Sequence, residues 1–100
     1  MPRLLDRDEV TRQLDRLDGW SGDTQALRRT VKAKDFPTAI RVVDQVAEIA
    51  EEMGHHPDID IRWRTLHFAL ATHSEGGVTQ LDVELAHRID EVVRATAGEA

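Results

Sequence analysis

Between Asp35 and Ile59 the hydrophobic repeat changes period, and this change constrains the fold more than any other feature of the chain. Phe36, Ile40, Val43, Val46 or Ala47, Ala50 and Met53 recur three or four residues apart, the spacing of one helix face. From Ile59 the repeat is two: Ile59, Ile61 and Trp63 alternate with Asp60, Arg62 and Arg64. After a tight turn near Arg64-Thr65 the alternation resumes, with Leu66, Phe68, Leu70 and Thr72 on one face and His67, Ala69, Ala71 and His73 on the other. Each period buries a single face only in its own kind of element, so a helix must be followed by two strands, the second ending at His73. The punctuation agrees. Asp35 can cap the helix, and Pro37 is tolerated in a first turn whose amides lack intrahelical acceptors. Gly54 can end the helix in a left-handed conformation, and Pro57 prevents its continuation.

The flanking segments extend this order. Asp6 and Glu9 have the spacing of a reciprocal helix cap, and Val10, Leu14 and Leu17 follow at helical spacing, predicting a helix from Asp8 to Leu17. Asp18-Gly19 stops it, Trp20 follows, and Ser21-Gly22-Asp23-Thr24 is a turn before a second short strand within Ala26 to Lys34. Alternation in that strand is imperfect, because Arg29 shares the parity of Leu27, Val31 and Ala33. Ser74-Glu75-Gly76-Gly77 reads as a flexible turn, and Thr79 as the cap of a last helix buried along Leu81, Leu85, Ile89, Val92 and Val93. Gly98-Glu99-Ala100 reads as a frayed tail. Short hairpins force antiparallel pairing. The expected fold is therefore α+β: a four-stranded antiparallel sheet with three helices on one face, in the order α-β-β-α-β-β-α.

The 100 residues suffice for one domain, 1–100. A chain this small buries a modest fraction of its surface, and open sheet edges invite self-pairing, so a homo-oligomer is expected. Lys and Arg number 13 against 19 Asp and Glu, a formal charge of -6 without a basic cluster, which argues against direct nucleic-acid binding. The lack of cysteine excludes disulfides, thiolate nucleophiles and zinc-thiolate sites. The N-terminus becomes charged too early for a signal peptide, and no apolar run reaches membrane-spanning length, so the expectation is a soluble cytoplasmic protein.

Chemistry concentrates in Glu51, His55-His56-Pro57, Trp63, His73 and Asp82. Imidazole can give and take a proton near neutrality, so three histidines in one ordered constellation point to acid-base work. Each residue also has a plainer reading. His55 and His56 can serve a helix end, where histidine interacts favourably with the last carbonyls, and His73 can be a solvated strand end. His67 and His87 read as surface. Glu51, four residues before His55, shares its helix face and can orient that imidazole or form an ordinary surface pair. Asp82, three residues after Thr79, fits a capping box. Trp63 reads as core by its parity with Ile59 and Ile61, though it or Trp20 can wall a pocket for a flat heterocycle. Adjacent histidines bind one ion less readily than an i, i+4 pair and no HExxH pattern is present, so acid-base work without metal is favoured over a metal site.

The whole pattern resembles the pterin-4a-carbinolamine dehydratases: Glu51, His55-His56-Pro57, five residues, Trp63, nine residues, His73, eight residues, Asp82. The resemblance continues through Gly19-Trp20, Lys34-Asp35-Phe36, Thr72-His73 and Gly76-Gly77-Val78-Thr79, with Asp18 standing where many relatives have proline. It implies removal of water from 4a-hydroxytetrahydrobiopterin, or a related 4a-hydroxytetrahydropterin, to give the quinonoid dihydropterin. That reaction recycles the cofactor of a pterin-dependent aromatic amino-acid hydroxylase, to which it implies a functional link. It further implies His55 and His73 as the acid-base pair, His56 binding and polarising the pterin or the leaving oxygen, Glu51 orienting His55, and Asp82 fixing the pocket around His73. Pro57, Trp63 and Trp20 would support the pterin site. No cofactor or metal is implied, and the assembly would be a homodimer or homotetramer. Animal relatives also serve as dimerisation cofactors of a homeodomain transcription factor, so a non-enzymatic interaction module is the main alternative. A dehydratase of another pterin, such as a molybdenum-cofactor intermediate, is a third.

Overall fold

Side-chain caps set where the helices begin. In the computed structural model, which describes residues 2–97, helix α1 (Arg7–Leu14) starts at Asp6. The Asp6 carboxylate accepts from Glu9 N at 2.9 Å while Glu9 Oε1 accepts from Asp6 N at 3.0 Å, so two otherwise orphaned amides are satisfied. The helix is shorter than its apolar spacing predicts: Leu17 is buried, but a turn in which its amide donates to Leu14 O at 3.1 Å brings it inward. Asp35 caps α2 (Phe36–Met53), accepting from Thr38 N at 2.8 Å, with Pro37 in the first turn.

The face that α2 buries differs from the predicted stripe. Ala39, Val42, Val46 and Ala50 form the buried line, while Ile40 and Val43 are half-buried, Ala47 is exposed and Phe36 is 47 % exposed. Alanines at both ends of the buried line allow close approach to the core, which turns the bulkier Phe36 edge outward.

Strands β1 (Trp20–Gly22), β2 (Leu27–Lys32), β3 (Asp58–Arg62) and β4 (Thr65–Leu70) form one antiparallel sheet in the order β1-β2-β4-β3. In β2, Leu27, Arg29 and Val31 all point inward. Arg29 fits this apolar face because it forms an ion pair with Asp90 of α3 (Gln80–Val92), whose Oδ1 also accepts from Trp20 Nε1 at 2.8 Å. Leu66, Phe68 and Leu70 of β4 share that face and pack with Val42, Val46, Val83, Leu85 and Ile89. Each such side chain contributes roughly 1.5–3 kcal/mol on burial. The helices thus cover one face of the sheet, and Arg28, Thr30, Lys32, Asp58, Asp60 and His67 are exposed on the other.

Trp63 is not a core residue. The β3–β4 turn is Trp63-Arg64, one residue earlier than predicted, and Trp63 takes a left-handed φ of 60° with 81 % of its surface exposed. The alternation that placed it inward ends at Arg62. As an edge strand, β3 leaves Ile59 half-buried and Ile61 40 % exposed, so its predicted buried face is incomplete. Strand β4 stops at Leu70, and His73 begins a single 3₁₀ turn (His73–Glu75) instead of ending a strand. A π turn (Val93–Ala97) follows α3; the predicted tail, 98–100, lies outside the described residues. No helix among the described residues is long and apolar enough to cross a membrane.

Candidate active site

Two chain reversals build the site: the end of α2 and the passage from β4 to α3. At the first, Gly54 adopts a left-handed φ of 61°, its amide donates to Glu51 O at 3.2 Å, and His55 N donates to Ala50 O at 3.0 Å. This is a Schellman end, and it carries His55 off the helical path. The i, i+4 geometry expected to join Glu51 and His55 therefore does not form. Glu51 pairs instead with His56 Nε2, both side chains being largely exposed. His55 turns inward, 8 % exposed, with Nε2 2.6 Å from Asp82 Oδ1. Pro57, half-buried, leads from His56 directly into β3.

At the second reversal Thr72 N donates to Gly77 O at 2.8 Å, closing the loop that contains the 3₁₀ turn. Only glycine fits at position 77, because a Cβ there would lie 2.5 Å from Thr24 O. Thr79 then caps α3 in a capping box with Asp82. The box and the site are one structure. Asp82 is fully buried, and its carboxylate accepts from Thr79 N at 2.9 Å and Thr72 Oγ1 at 2.8 Å through Oδ2, besides facing His55 through Oδ1. Thr72 has one hydroxyl proton and gives it to Asp82, so across the 2.7 Å contact between the two hydroxyls Thr79 is the donor. With Oδ2 taken twice, Oδ1 is left for His55 Nε2–H, which makes Nδ1 the basic nitrogen of the neutral ring.

The histidine partner of Asp82 is thus His55, while the resemblance implied a place for Asp82 in the pocket around His73. His73 is exposed and follows Thr72 directly, so its backbone leaves the same buried corner that holds the His55 imidazole. It opens on a cavity of about 370 Å³ whose lining includes Gln25, Arg28, Asp58, Ala71 and Gly76. Trp20 is 7 % exposed and committed to Asp90, and Trp63 sits at a hairpin tip, so neither joins the histidine corner. His67 and His87 are exposed, as expected. Among the described residues no group of three or more His, Asp or Glu side chains converges as a metal-ligand set. Thr72 is the residue that sequence reasoning missed; its signal was a hydroxyl on the parity of Leu66, Phe68 and Leu70.

Comparison with known proteins shows what the whole chain is similar to. The family model for pterin 4 alpha carbinolamine dehydratase matches residues 3–92. A Nocardia farcinica protein, provisionally named pterin-4-alpha-carbinolamine dehydratase, is 52% identical over 91 residues, 91% of this chain and 96% of its own. A Mycolicibacterium smegmatis protein of the same provisional name is 50% identical over 90% of this chain and 96% of its own. The crystal structure of a transcriptional coactivator/pterin dehydratase from Brucella melitensis superposes with a TM-score of 0.87 at 37% identity, covering 90% of this chain and 98% of that one. A pterin dehydratase-like protein identified as a RuBisCO assembly factor in the alpha-carboxysome shares the fold, with a TM-score of 0.61 at 21% identity over 81% of this chain and 89% of its own.

Proposed function

Because the chain belongs to the pterin-4a-carbinolamine dehydratase family, we propose that it removes water from 4a-hydroxytetrahydrobiopterin or a related 4a-hydroxytetrahydropterin to give the quinonoid dihydropterin. The N5 proton passes to a base, the N5 electron pair forms the C4a=N5 bond, the C4a–O bond breaks, and the departing hydroxyl takes a proton from an acid. Two proton-transfer groups must therefore flank one small ring system. No redox partner is needed, because the reaction changes only where protons and one electron pair reside.

The observation that carries this reading is the buried hydrogen-bonded corner of His55, Asp82 and Thr72, with His73 as the next residue in the chain. A purely structural helix cap uses Asp82 Oδ2; the second oxygen, spent on a histidine 27 residues away, serves to fix a tautomer. His55, through Nδ1, and His73 act as the acid-base pair. His56, paired with Glu51 at the rim, binds or polarises the pterin. The protein would work as a single cytoplasmic domain in a homo-oligomer, returning oxidised pterin to the cycle of an aromatic amino-acid hydroxylase. An interaction module of the same fold has no use for a tautomer-fixed imidazole.

The test is turnover of enzymatically generated 4a-hydroxytetrahydropterin, followed by loss of its ultraviolet absorbance. His55→Ala and His73→Ala should each lower the rate about 10²–10⁴-fold while circular dichroism stays native. Folded variants that both keep the parent rate would overturn the assignment.

A further inference from the structure

The open face of the sheet carries two adjoining cavities, of about 370 and 500 Å³, that share Arg28, Asp58 and Ala69. His73 borders the first and His67 the second, so the two form one groove across β2, β4 and β3. Strand register explains its shape. Arg28 pairs with Ala69, which pairs on its other side with Asp58, putting the three in one row. With strands roughly 4.8 Å apart, the Cα atoms of Arg28 and Asp58 stand roughly 10 Å apart over the short side chain of Ala69.

We propose that Arg28 and Asp58 are the recognition pair of this groove, reading the edge of a flat heterocycle that carries adjacent N–H and amino donors beside a carbonyl, as the pyrimidinone ring of a pterin does. This inference rests on the dehydratase reading above. The charged and ring neighbours are already committed: Asp60 accepts from Arg62 Nε at 3.0 Å, which with the Arg62 charge and His67 holds its carboxyl below the usual range, and Thr30 Oγ1 lies 3.0 Å from His67 Nδ1. Ser21 and Gln25 add uncharged polar groups to the lining. Among the described residues Asp58 has no hydrogen bond or ion pair to a protein side chain, and Arg28 acts on one only at longer range, its charge helping to hold the Asp23 carboxyl low. A carboxylate matches two parallel donors, and a guanidinium matches a carbonyl oxygen. Asp58 and Asp60 together disfavour an anionic ligand, and Arg28 a cationic one, which leaves a neutral ring with both polarities on one edge. Position favours the same ligand. Asp58 lies two residues after His56 and Ala71 two before His73, so a ring seated over Ala69 lies between the two histidine-bearing reversals.

The test is equilibrium dialysis of 7,8-dihydropterin and of 7,8-dihydrolumazine, its 2-oxo counterpart, against the full chain. The wild-type protein should prefer the 2-amino compound. Asp58→Asn should bind dihydropterin roughly 10- to 100-fold more weakly, the scale of a lost hydrogen-bonded charge, and lose that preference. Arg28→Gln should weaken both compounds alike. Both positions are exposed on strands, and melting curves verify that the variants fold. Wild-type protein that does not bind dihydropterin, or an Asp58→Asn variant with unchanged affinity and preference, overturns the inference. The dehydratase reading is judged separately by wild-type turnover, so the two can fail independently.

Discussion

Replacing Asp82 by asparagine separates the capping role of one side chain from its proposed role in acid-base chemistry. The carboxylate accepts from Thr79 N, Thr72 Oγ1 and His55 Nε2 in a fully buried place. Asparagine offers one oxygen and one NH2 group. Placing the NH2 against Thr79 N would oppose two donors and leave a buried amide unsatisfied, at a cost of about 1–3 kcal/mol. With the oxygen on the threonine side, the NH2 faces His55 Nε2, which accepts once the ring proton has moved to Nδ1. The second arrangement wins, because changing tautomer costs less than stranding an amide. Stability should fall by about 2 kcal/mol for the lost charge-assisted bond, a Tm decrease of roughly 8–16 °C for a domain of this size. Turnover should fall far more, about 10²–10⁴-fold, since Nδ1 now presents a proton where the parent presents a lone pair. Two-bond 15N–1H correlation spectra report the tautomer, and the pterin assay reports the rate. A folded Asp82→Asn protein with the exchanged tautomer and a rate within about twofold of the parent would refute the reasoning.

Asp90→Ala removes the carboxylate shared by Arg29 and Trp20 inside the core, and breaking a buried ion pair costs about 3–5 kcal/mol in urea unfolding; a loss below about 1 kcal/mol would contradict that account. Glu9 is held down to about 2 from 4.5, chiefly by its hydrogen bond from Arg3. Its contribution is therefore complete above the unfolded value and disappears as pH falls toward the folded one, so the Tm difference between parent and Glu9→Gln should be constant above about pH 5.5 and vanish near pH 2. A difference that persists unchanged at pH 2 would show that the charge is not responsible. The open edge strand β3 with Ile61, and the outward Phe36 edge of α2, should bring subunits together, giving a dimer or tetramer by light scattering at micromolar concentration; a monomeric mass would mean that these apolar groups stay in water.

Hydrophobic period and capping chemistry make the architecture readable from the sequence alone. The Asp6–Glu9 box, the Asp35 and Thr79 caps and the Gly54 stop all sit where the sequence puts them. What was not readable depends on contacts between distant segments. Arg29 broke the parity of β2 because its partner Asp90 lies 61 residues away. Trp63 was misplaced because the Arg62-Trp63-Arg64-Thr65 turn contains no Gly, Asn or Asp to announce a left-handed residue. In the candidate site, the pairing of the side chains was not legible. Helical spacing joins Glu51 to His55 only while the helix lasts, and the Gly54 reversal hands Glu51 to His56 and frees His55 for Asp82.

The two tryptophans, in a chain without tyrosine, occupy opposite environments. Indole emission shifts to the blue when the ring is shielded from water and to the red when it is solvated. The intrinsic fluorescence of this protein is therefore the sum of two separable bands, a blue one from Trp20 and a red one from Trp63. Acrylamide should extinguish the second while sparing the first, and Trp63→Phe yields a single-probe protein. Because Trp20 donates its indole N–H to α3, the remaining band reports directly on whether the helix that carries Asp82 is seated on the sheet.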